Sequence, residues 1–153
     1  MRSQESFSDV FLFDEMTIDD FEVIEQVGRT YAGPVYRVKK KNENIKDYLM
    51  FHIENDYPEL SSEVEELMNL PDRSGILLIY GIVKSDDSAS IITEYAERGC
   101  LADIIQTTNF DDPESPIDPH HLACLLFSLS NSFRILHSND IFYKYFDPSF
   151  IYL

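Results

Sequence analysis

Few side chains in this 153-residue sequence are spaced for covalent or metal chemistry. The two cysteines, Cys100 and Cys124, make neither a disulfide framework nor a metal-ligand spacing. They read as free, buried thiols in a reducing compartment, which points to the cytoplasm. His120 and His121 are adjacent. Neighbours on a helix point different ways, and no third ligand is near, so no metal is expected. His52 and His137 read as packed or surface histidines. There is no Gly-x-Ser-x-Gly and no Cys–His arrangement, so nucleophilic chemistry has no foothold. Gly28 and Gly33 bracket a turn that, on its residues alone, is an ordinary β-hairpin. Asp147, followed by Pro148, reads as a solvated or turn-capping acid.

Charge and composition narrow the classes further. The chain carries 28 acidic and 12 basic side chains, a formal net charge of −16. Such an excess argues against nucleic acid, which needs a basic footprint, and against an anionic membrane surface. Hydrophobic residues make up 44% and aromatics 13%, enough to bury a core and to exclude a disordered chain. No apolar run of about 18 residues exists to span a membrane. No secretory signal is visible at the start.

The elements that would position these residues follow from patterning. An acidic leader, residues 1–20, carries scattered apolar residues from Phe7 to Phe13. Strands are expected at Phe21–Ile24, Val35–Val38, Tyr48–Ile53, Ile76–Val83 and Ala89–Tyr95, rich in β-branched and aromatic residues. A helix is expected from Ser62, with Ser62 and Glu65 as a capping box and Leu60, Val64, Leu67 and Met68 on one face. A short helix covers Leu101–Gln106. Asp118-Pro119 opens the clearest helix, its stripe being Leu122, Leu125, Leu126, Leu129, Phe133 and Leu136. The order of elements is α+β.

The residues at the joints resemble those of a eukaryotic-type protein kinase domain from about Asp20 to Leu153. Val27-Gly28-Arg29-Thr30-Tyr31-Ala32-Gly33-Pro34-Val35 is similar to the glycine-rich loop. Gly28 and Gly33 match its first and third glycines, Thr30 stands at the second, and Val35 matches the adenine-packing valine. Tyr48-Leu49-Met50-Phe51 lies where the family has Val-Ala-Ile-Lys, and Glu63 matches the helix glutamate. Ile91-Ile92-Thr93-Glu94-Tyr95-Ala96 resembles the hinge. Leu136-His137-Ser138-Asn139-Asp140-Ile141 resembles the run into the catalytic loop.

The resemblance implies a kinase-like small lobe with hinge over 21–96. It implies a partial large lobe over 97–153, truncated at the catalytic loop. It also shows what differs. The lysine that holds the nucleotide phosphates is Phe51, and the small alanine is Leu49. Arg37 and Lys46 are the nearby cations that could stand in. The catalytic Asp position holds Tyr145, a poor base at neutral pH, and the metal-binding Asn position holds Phe150. The expectation is a kinase fold with no catalytic residues and no cofactor, a pseudokinase-like module. It would bind a protein partner or a second copy through the apolar face of helix Leu122–Leu136. The alternative is a residual ATP- and magnesium-binding kinase domain using Gly28, Gly33, Val35, Glu94 and Ala96. A third reading is a gene fragment with no selected role.

Overall fold

The structure, a computed structural model, describes residues 17–43, 46–54, 58–85, 87–108, 118–142 and 146–153. Most of the expected leader and of the expected loop before Asp118 lies outside these residues, as does Tyr145. The described chain divides into two compact units. One holds the chain up to Asn69 together with Leu78–Tyr95; the other holds Leu70–Leu77 and Ala96–Leu153.

The first unit is a five-stranded antiparallel sheet with one helix. Its strands are β1 (Phe21–Thr30), β2 (Gly33–Lys40), β3 (Asp47–Ile53), β4 (Ile79–Lys84) and β5 (Ala89–Glu94), in the spatial order β1-β2-β3-β5-β4. Just before β1, the Asp20 carboxylate accepts the Thr17 backbone N–H at 2.7 Å and closes a 3-10 turn. Alternation sorts β3 onto two faces. Tyr48 and Met50 join Phe21, Val38, Val83 and Ile92 in one apolar cluster. Phe21 and Tyr80 meet the Tyr48 ring edge-on, at 6.3 and 5.4 Å between centroids. Ile53 joins Ile79, Ala89, Leu60 and Val64 in a second cluster.

Leu60 and Val64 come from α1 (Leu60–Met68) and are buried at 3% exposure each, with Leu67 and Met68 packed beside them. The start of α1 corrects the expected capping box. Glu59, already helical at φ −79° and ψ −15°, precedes the first turn. Ser62 lies inside that turn and donates its hydroxyl to the Glu59 carbonyl at 2.8 Å. A capping side chain needs an extended backbone, and the chain enters α1 through a turn instead. Strand β4 is also shorter than expected. Residues 76–78 precede the ladder, and Leu78 is bonded to Glu94 at both its N–H and its carbonyl.

The second unit contains α2 (Leu101–Thr107), α3 (Pro119–Ser138) and a 3-10 turn at Pro148–Phe150. Asp118 caps α3 by accepting the His121 N–H at 2.7 Å, and Pro119 takes the first helical position. The fully buried residues of α3 are Ser132 and Ile135, neither of them in the expected leucine stripe. The stripe is only partly covered: Leu122 and Leu126 are 42% and 56% exposed. The reason is a polar seat. The Ser132 hydroxyl donates to the Gly75 carbonyl at 2.9 Å. Gly75 sits at φ +79°, where a Cβ would come within 2.4 Å of that hydroxyl oxygen. Cys124, expected to be buried, is exposed; it lies about two turns of α3 before this seat.

The chain's last residues pair with the start of α2. Leu101 N–H donates to Ile151 O at 2.7 Å, and Cys100 forms an isolated antiparallel bridge with Tyr152. Burial first, then the nearby Cys100 and Asp103, pushes the Tyr152 phenol up to about 12 from its usual 10.0. The fold thus favours the protonated phenol. That contribution is complete below pH 10 and is lost as pH rises toward 12. In urea titrations across this window, the wild type is expected to lose on the order of 1–2 kcal/mol more than Tyr152→Phe. Equal losses would contradict the assignment.

Candidate functional site

The hairpin between β1 and β2 closes tightly. Thr30 pairs with Gly33, leaving Tyr31 and Ala32 as a two-residue turn. Thr30 fills this turn with its own side chain. Its hydroxyl donates to the Gly33 carbonyl at 3.2 Å and accepts the Ala32 N–H at 3.3 Å. The two glycines have different causes. A Cβ on Gly28 would meet nothing within 4 Å. On Gly33, at φ +155°, it would stand 2.2 Å from the His52 carbonyl oxygen. Gly33 is therefore required by the close approach of the end of β3. That approach is held by the Glu54 N–H, which donates to Ala32 O at 3.1 Å.

Behind the hairpin, cross-strand partners share a face. Phe51 stands opposite Val35 on β2 and Ile91 on β5, and Leu49 stands opposite Arg37 and Thr93. Val35 is 0% exposed, Leu49 1% and Thr93 3%, so these three side chains have almost no free surface. Phe51 is half-buried.

Both cations singled out as substitutes have partners. Arg37 Nε donates to Asp47 at 2.7 Å and its Nη1 to Glu25 at 3.1 Å. Its guanidinium carbon lies 4.9 Å from the centre of the Tyr95 ring. The hydrogen bond to Asp47, then that to Glu25, raises the Arg37 pKa further above its ordinary value. Lys46 donates to the Tyr80 hydroxyl and sits 4.6 Å above the Tyr80 ring. Glu63 is exposed on α1.

The hinge residues are engaged as well. The Glu94 N–H donates to Leu78 O at 2.9 Å, and the Glu94 carboxylate accepts the Leu78 N–H at 2.8 Å. The Glu94 carbonyl accepts the Thr93 hydroxyl at 3.0 Å. In the second unit, the Ala96 carbonyl accepts the Gly99 N–H at 3.2 Å.

Near the catalytic-loop positions, Asp147 accepts the Ser149 N–H at 2.8 Å and the Ser149 hydroxyl at 2.6 Å. These two bonds hold its carboxyl below the usual range and make it the cap of the 3-10 turn. Phe150 is half-buried at the end of that turn. The rings of His120 and His121 lie edge to face at 6.2 Å, and among the described residues no three His, Cys, Asp or Glu converge as a metal site. Among those residues, no helix is long and apolar enough to cross a membrane.

The cluster of Arg37, Asp47, Glu25 and Tyr95 escaped sequence reasoning. Its signal was present as an acid on β1 and a base on β2, but opposite charges signify a pair only once the strand register is known. The bulge between Val23 and Glu25, which brings Glu25 opposite Arg37, could not be read from the residues.

Comparison with known proteins agrees with this architecture. Residues 21–146 match the family model for protein tyrosine and serine/threonine kinases. Serine/threonine-protein kinase 4 homolog B of Dictyostelium discoideum is 26% identical over 130 residues, covering 84% of this chain and 11% of the relative. Serine/threonine-protein kinase SKM1 of Saccharomyces cerevisiae is 22% identical over 147 residues, covering 81% of this chain and 22% of the relative. The chain thus spans about a tenth to a fifth of the length of these relatives. With a matching model over most of its length, one unit made of a five-stranded antiparallel sheet carrying one helix, and a second unit that is helical, the chain belongs to the protein tyrosine and serine/threonine kinase family.

Proposed function

We propose that this chain is a kinase-fold protein-interaction module that neither binds magnesium nucleotide nor transfers phosphate. One observation supports the reading: the side chains matched by resemblance to the family's adenine site are almost wholly buried. Val35, Leu49 and Thr93 are at most 3% exposed, and the neighbouring position of the phosphate-holding lysine is a phenyl ring, Phe51. A Leu in place of Ala adds bulk where a ring would slide in, and Phe offers no charge for a phosphate. The residues present do not fit the nucleotide in other respects. Thr30 takes a donor in the tight turn, Arg37 and Lys46 are held by other groups, and Phe150 offers no metal ligand.

The interaction reading rests on α3. Leu122, Leu126 and Phe127 are 42%, 56% and 78% exposed along its outer side. Burying such side chains on a partner gives about 25 cal/mol per Å². The partner is a protein or a second copy of the chain, and a charge of −16 opposes close self-packing.

The test is incubation of the purified chain with labelled Mg-ATP and generic protein substrates, alongside light scattering. No label is expected on the chain or on any substrate. Transfer that disappears in Asp147→Ala would overturn the reading and make Asp147 the base. A monomer at all concentrations that also captures no partner would remove the interaction half.

A further inference from the structure

The charge that keeps copies of this chain apart is not carried by α3. The chain has 28 acidic side chains, yet none lies between Pro119 and Asn139. The helix holds one arginine, Arg134, whose Nε and Nη2 donate to the Asn131 side-chain carbonyl at 3.2 and 3.0 Å. The buried Ser132 and Ile135 mark its inner side. At roughly 100° per residue, Ala123, Leu126 and Ser130 fall on the side opposite them. Leu126 is 56% exposed there, with Leu122 and Phe127 at 42% and 78% on its flanks. Ala123 and Ser130 are small and exposed, so a second helix can approach closely around Leu126.

An antiparallel pair of such helices is self-complementary. It sets the positive N-terminal end of each α3 beside the negative C-terminal end of the other. The pairing is isologous, the same patch on both copies, so it closes at two. The acids nearest in sequence, Asp118 and Asp140, lie just beyond the two ends of the helix. They would approach each other across the ends of the pair, a repulsion that salt screens. α3 has 20 residues and is about 30 Å long. A face of that length and about 10 Å wide is small beside the roughly 1,600 Å² of a standard interface, so the association is weak and reversible. Resting on the interaction reading of α3, we propose that its partner is a second copy of this chain, packed antiparallel along α3 around Leu126.

Sedimentation equilibrium of the full chain over a range of concentrations tests this. A reversible dimer is expected, and added sodium chloride should tighten it by screening the repulsion between two chains of charge −16. Leu126→Asp and Leu126→Lys should each weaken association by about tenfold or more. An equimolar mixture of the two should restore it, because opposite charges then meet near the two-fold axis. Leu126 is largely exposed, so both variants should melt with the wild type. Val23→Asp, on β1, should leave the dimer unchanged. A chain that stays monomeric would overturn the proposal; if it still captures another protein that Leu126→Asp releases, the interaction reading stands without it. A dimer indifferent to both Leu126 variants, weakened by salt, or not restored in the mixture would also overturn it.

Discussion

Gly33→Ala is expected to destabilise the chain by roughly 2–5 kcal/mol, enough to unfold a marginal domain. The new Cβ would lie 2.2 Å from the His52 carbonyl oxygen and 3.2 Å from its carbon. Both are backbone atoms in β3, so no side chain can swing aside. The hairpin would have to lift from β3, breaking the bond from Glu54 N–H to Ala32 O. The φ of +155° adds strain for any L side chain. Gly28→Ala is the control. Nothing lies within 4 Å of its Cβ, so its effect should stay within about 1 kcal/mol. Urea midpoints of the two variants decide the matter. Equal effects would contradict a packing role for Gly33.

Leu49→Ala should cost about 2–5 kcal/mol, the usual range for a buried leucine. At 1% exposure, Leu49 sits on β3 between Arg37 and Thr93 and is among the most fully buried side chains described. A kinase that binds adenine carries a small residue here because the ligand supplies the missing bulk. In this chain the bulk belongs to the protein, so its removal leaves a hole. A cost below about 1 kcal/mol would identify Leu49 as the wall of an open pocket rather than as core.

The sheet was legible because its strands are runs rich in β-branched and aromatic residues, separated by polar turns. The helix start at α1 was not, because Ser62 has the right chemistry for a cap and the wrong backbone. Likewise the stripe on α3 correctly marked a helix but not its buried line. That line is set by a hydroxyl seated on a carbonyl 57 residues away, between Ser132 and Gly75. Local pattern carries no information about such a contact. At the candidate site, the identities of Phe51, Leu49 and Phe150 could be read directly, since the resemblance matches each of them to a position of the family's motifs. The near-complete burial of Val35, Leu49 and Thr93, and the partners of Arg37, required strand register and three-dimensional packing.

The central claim is that the protein itself occupies the place of the nucleotide. Thermal unfolding of the intact chain at increasing Mg-ATP, into the millimolar range, tests it most directly. A ligand that binds the native state at 100 times its Kd adds about 2.7 kcal/mol of stability. The account predicts a melting temperature that does not move with Mg-ATP. A saturable rise, lost when Gly28 or Val35 is replaced by a bulkier residue, would contradict it.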